Sequence, residues 1–142
     1  MSTMATDYFI LILTPDKLSK DGIAPFLVPI ELNKATYLEE KKKEITVIGG
    51  ILNKYQKISK SQQVNKDSIF NDLMVTTENA GLGNARLFDQ YIKLDNVLNE
   101  AQNQTGSVLV YNPTHELVRD YFNLTQEIMD SIIIDKMSKQ GA

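Results

Sequence analysis

The chain contains one histidine, His115, set beside Glu116. An imidazole next to a carboxylate is the least that general-base chemistry requires. A base also needs an oriented partner, and no serine or cysteine nucleophile is indicated for it. His115 therefore reads as an exposed residue in the first turn of a helix. A second arrangement is Gly81-Leu82-Gly83-Asn84-Ala85-Arg86. A dinucleotide fingerprint needs a preceding strand and a third glycine or alanine at fixed spacing. Here the preceding run is polar and Arg86 occupies the third position, so the segment reads as a hinge between helices. Four carboxylates, Asp120, Glu127, Asp130 and Asp135, fall on the last helical stretch. Di-metal bundles draw Glu-x-x-His from two helices, which one histidine cannot supply, and a solvated face is expected instead. With no cysteine in the chain, disulfides, thiolate metal sites and cysteine nucleophiles are excluded. No catalytic residue, metal ligand or cofactor is expected.

The elements that would position these residues read as helices. The chain has 142 residues, 42% of them hydrophobic, with a net charge of −3. That suits a single folded domain and not a general nucleic-acid binder, which needs a net basic face. Residues 1–30 read as an extended apolar arm. Two clusters, Tyr8 to Leu13 and Pro25 to Ile30, flank one short helix with Thr14 as N-cap, Pro15 at its first position and Gly22 as its stop. Residues 31–142 read as a helical bundle domain. Within it, residues 31–60 place Ala35, Leu38, Ile45, Ile48, Leu52 and Tyr55 on one helical face. Gly49 falls on that face, where a missing side chain admits a close neighbour. Lys54, Lys57 and Lys60 suit the C-terminal end of such a helix.

One or two helical turns are expected over 67–75, a break from Thr76 to Gly83, and a second long helix from Asn84 to Gln102. Val108 to Tyr111 is either a short strand or a connector. The last helix, from Asn112-Pro113 to about Ser138, carries two apolar stripes. Leu117, Tyr121, Leu124, Ile128 and Ile132 form one, and Val118, Phe122, Met129, Ile133 and Met137 the other. Together they span about 220° at about 100° per residue, more than one packing contact uses. The expected fold is mainly α: a three- or four-helix bundle or long helical hairpin with an extended N-terminal arm.

Charge is uneven. Residues 34–66 hold eight lysines against three acids, and residues 67–135 hold three basic residues against eleven acids. Such halves attract within one molecule or between copies. The expected function is non-enzymatic: a structural subunit of a homo-oligomeric or larger assembly, such as a helical filament, secretion-apparatus component or virion part. The alternative is a helical adaptor or chaperone that holds an amphipathic segment of a partner protein. The interface is expected at Phe9, Leu11, Phe26, Val28, Gly49, Val118, Phe122, Met129, Ile133 and Met137. Expected partners are further copies of the chain or other protein subunits, with no nucleic acid. The longest apolar run has six residues, whereas a membrane span needs about 20. No cleavable signal is apparent, so a cytoplasmic location, or export by another route, is expected.

Overall fold

The computed structural model describes residues 8–41, 44–93, 95, 97–104, 106, 107, 109 and 112–140. Among these residues the fold is α/β. Strands β1 (Tyr8–Leu13), β2 (Thr46–Tyr55) and β3 (Ile92–Lys93) form one parallel sheet in the order β1-β2-β3. Helix α1 (Lys17–Lys41) joins β1 to β2, and α2 (Lys60–Asn79) lies between β2 and β3. Helices α3 (Val97–Gln104) and α4 (Glu116–Gln140) follow.

The parallel sheet overturns the mainly α expectation of a bundle or hairpin with an extended arm. Tyr8–Leu13 is a strand paired with β2 from Tyr8↔Thr46 to Leu13↔Leu52, not an arm. The helix expected over 31–60 divides at residue 41, and its second half is β2. A parallel strand covered on both faces reads as a nearly continuous apolar run. In β2, Ile48 and Leu52 also sit at helical spacing, and period alone cannot separate the two cases. The Gly49-Gly50 pair was the contrary signal, since each glycine costs a helix roughly 1 kcal/mol relative to alanine.

Helix α1 starts at a different cap and continues past Gly22, Pro25 and Pro29. The Asp16 carboxylate, not Thr14, accepts the Ser19 N–H at 2.8 Å, as an N-cap does. Ile23, Leu27, Ile30 and Tyr37 are buried at helical spacing, while Pro25 and Pro29 are exposed. The carbonyls those prolines leave without intrahelical donors therefore lie on the wet side of the helix, where solvent satisfies them. Helix α2 starts at Ser59, whose hydroxyl accepts the Gln62 N–H, where the C-terminal end of a helix was expected. It ends in a Schellman motif, with Gly81 at φ 68°, Leu82 N–H donating to Thr77 O and Gly81 N–H to Glu78 O.

The second long helix expected from Asn84 to Gln102 is instead extended chain, β3 and the short α3. Gly50 N–H donates to Arg86 O at 3.0 Å, and Phe88 N–H to Gly50 O at 2.9 Å. Residues 108, 110 and 111, where a strand or connector was expected, lie outside the described residues.

Two cores result. Phe9, Leu11 and Leu13 of β1 and Val47 of β2 pack with Ile23, Leu27, Ile69 and Leu73 of α1 and α2. On the opposite face Ile10, Ile48 and Ile51 pack with Phe88, Ile92, Val97 and α4's Leu117, Leu124 and Ile128.

Candidate functional site

The chemistry-bearing residues make contacts between elements of the fold. His115 is the N-cap of α4. Its Nδ1 accepts the Leu117 N–H at 3.1 Å, and its carbonyl accepts the Val118 N–H at 3.0 Å. An accepting Nδ1 is unprotonated, so the neutral ring carries its proton on Nε2. Nε2 lies 3.7 Å from Asp95 Oδ2. Asp95 Oδ1 in turn accepts the Val97 N–H at 2.9 Å, at the start of α3. The histidine and aspartate thus cap two helix starts that lie side by side. Beside them, the Lys93 ammonium donates to Glu116. That bond raises the lysine pKa and lowers the glutamate pKa from their ordinary values.

The glycine segment 81–86 follows a helix, whereas phosphate-binding turns follow a strand and open a helix. Gly81 terminates α2. A Cβ on Gly83, at φ 105°, would meet Thr46 Cγ2 at 3.2 Å. The carboxylates of α4 do not form one solvated face. Glu127 accepts the backbone N–H groups of Asp89 and Gln90, at 2.5 and 3.0 Å. Asp135 accepts the Tyr8 hydroxyl at 2.9 Å and pairs with Lys139 at 3.0 Å. Lys139 also donates to Thr46 Oγ1 at 2.8 Å. A small cavity of about 150 Å³ lies here, with Lys34 and Lys139 balanced by Glu44 and Asp135. Sequence reasoning missed these partners because each is brought from a distant segment. Among the described residues, no group of three or more histidines and acids could hold a metal ion.

The residues expected at an interface separate into two sets. Phe9 and Leu11 lie in the core beneath α1, and Val118 is buried at the start of α4. Gly49 lies inside the sheet, where a Cβ would stand 2.7 Å from Phe88 Cζ and 2.9 Å from Arg86 O. Phe26 and Val28 are exposed on α1. Phe122, Met129, Ile133 and Met137 are 63%, 52%, 52% and 65% exposed on α4. Successive spacings of seven, four and four residues keep these four on one face. The two stripes of this helix have different fates. Leu117, Leu124 and Ile128 face the sheet, while most of the second stripe faces outward. Ile134 adds to it, and Ile12 of β1 is also exposed. At the start of this face, an open cleft of about 560 Å³ lies between α3 and α4, with Ala101, Leu109, Val118, Tyr121, Phe122 and Thr125 among its lining residues.

No helix among the described residues is long and apolar enough to cross a membrane. No protein-family model matches the chain, and no curated protein is significantly similar to it.

Proposed function

We propose that the protein is a non-enzymatic subunit of a homo-oligomeric or larger assembly, joined to neighbouring copies through the outward face of α4. The uncovered stripe Phe122, Met129, Ile133 and Met137 carries this reading. Scattered apolar residues on a surface need no explanation, but a contiguous apolar patch marks an interaction site. Phe26 and Val28 supply a second apolar surface on α1, in the layer on the other side of the sheet. Two different surfaces on opposite layers favour heterologous, head-to-tail contacts, which close into rings or propagate as filaments.

Sedimentation equilibrium over a range of concentrations tests the proposal. The wild-type chain should associate as concentration rises. The double variant Phe122→Asp, Ile133→Asp should remain monomeric with thermal stability little changed, because both side chains are more than half exposed in the monomer. A wild-type chain that stays monomeric at high concentration overturns the proposal. Deleting residues 1–30 is no substitute, because it removes β1 and half of α1.

The cleft between α3 and α4 favours a second reading, an adaptor that seats an apolar or amphipathic segment of another protein. Such a protein would be a discrete monomer or dimer and would take up an amphipathic peptide at the cleft.

A further inference from the structure

Strands β1 and β2 are parallel, so the loops that follow them emerge at the same end of the sheet. The side chain of Asn65, in the second turn of α2, donates to Pro15 O at 3.3 Å and ties that helix to the loop after β1. The first turn of α1 and the loop after β2 each present a large apolar side chain to solvent. Leu18 is 84% exposed and Ile58 is 92% exposed. Lysines bracket both, as Lys17-Leu18-Ser19-Lys20 and Lys57-Ile58-Ser59-Lys60. Residues 14–20 and 54–66 together contain six lysines and one acid, Asp16, in a chain whose net charge is −3. Asp16 is engaged with Thr14 and Ser19, and among the described residues only Lys20 of these lysines has an acidic partner in an ion pair, Asp72 at 3.9 Å.

Apart from the Lys20–Asp72 pair and Lys66, which lies 5.4 Å from the Tyr55 ring centroid, the fold gains little from this arrangement. Neither α1 nor α2 has an acid in its first turn, and cations there oppose the helix macrodipole. Leu18 and Ile58, so largely exposed, contribute almost no burial. We propose that this end of the molecule docks on an anionic lipid bilayer. Leu18 and Ile58 enter the headgroup boundary while Lys17, Lys54, Lys57 and Lys60 lie at the level of the lipid phosphates. Separate apolar prongs ringed by ammonium groups suit a deformable anionic interface. A protein partner would instead require a continuous apolar centre, and a single-stranded nucleic acid would require exposed aromatic platforms. The one aromatic residue in these two segments, Tyr55, is buried.

Vesicle flotation with the full chain tests this. Binding is expected to phosphatidylcholine vesicles that contain phosphatidylserine, and to weaken with added salt. Ile58→Glu and Leu18→Glu should each lower the partition coefficient by about tenfold or more. Circular dichroism should show both variants folded. Phe122→Asp, Ile133→Asp should bind vesicles as an isolated subunit, so failure of the assembly reading and failure of this one remain distinguishable. Absence of vesicle binding, equal binding to purely zwitterionic vesicles, or binding indifferent to both glutamate substitutions overturns the proposal. So does capture by soluble heparin that Ile58→Glu leaves unchanged, which would indicate a site for polyanions.

Discussion

Gly49 and Gly50 are neighbours in β2 that face opposite layers, and their surroundings differ in kind. A Cβ at Gly49 meets a backbone oxygen, Arg86 O, as well as the Phe88 ring. A Cβ at Gly50 meets the ends of three leucine side chains, Leu73, Leu87 and Leu13, at 2.9–3.3 Å. Leucine side chains can move, whereas a backbone carbonyl inside a sheet cannot move without breaking its ladder. Gly49→Ala should therefore destabilise by about 2–3 kcal/mol and Gly50→Ala by about 1 kcal/mol, within the range for overpacked cores. Urea unfolding measures both, and an equal or reversed order would contradict the account. The special status of Gly49 was legible as a missing side chain on a packing face, but the neighbour and the secondary structure were not. Thr77 was not legible at all. It is fully buried, its hydroxyl donates to Leu73 O, and it accepts the Ala85 N–H at 3.0 Å. Nothing local marks a threonine as the partner of an amide eight residues away.

At the scale of the element, the start of α1 depends on Asp16. The Thr14 hydroxyl, and then the Ser19 backbone N–H, hold its carboxyl below the ordinary carboxylate pKa. A pKa lower in the folded chain than in the unfolded one adds stability above the ordinary carboxylate range, and that stability is lost as pH falls through the depressed value. Asp16→Ala should cost about 1 kcal/mol at neutral pH, as for other N-caps. Thermal unfolding of both chains from neutral to strongly acidic pH should show the gap close as pH falls below the folded-state value. A gap that persists at the acidic end would sink this role. The cap motif was legible, but its position was displaced by two residues. The helix length was not, because Gly22, Pro25 and Pro29 are local stop signals. Burial of Ile23, Leu27, Ile30 and Tyr37 against the sheet overrides them, since most helix stability in proteins comes from packing.

For the whole molecule, α4 closes the second face of the sheet and is fastened at both ends. His115 caps its start beside Asp95. Near its other end Asp135 and Lys139 bind Tyr8 of β1 and Thr46 of β2. Because this clasp is partly exposed, its polar bonds add little to global stability. They hold the end of a helix whose outer face is proposed as the contact between subunits. Asp135→Asn should speed amide hydrogen exchange over the last two turns of α4 while shifting global stability by less than about 1 kcal/mol. Unchanged exchange there would show that the apolar contacts alone hold that end.

The sequence by itself determined what is local: the apolar run Tyr8–Leu13, the long last helix with two stripes, the turn at Gly81 and the absence of thiol chemistry. It also located, through those two stripes, the helix whose outer half is exposed. Tertiary structure alone decided that the first apolar run is a strand, that residues 46–55 are the central strand, and which stripe of α4 is buried. The physical reason is the same in each case. A strand is completed by hydrogen bonds to a partner far away in the chain, as Tyr8 pairs with Thr46. Likewise, an apolar stripe becomes a core or a surface only when another element covers it or leaves it bare.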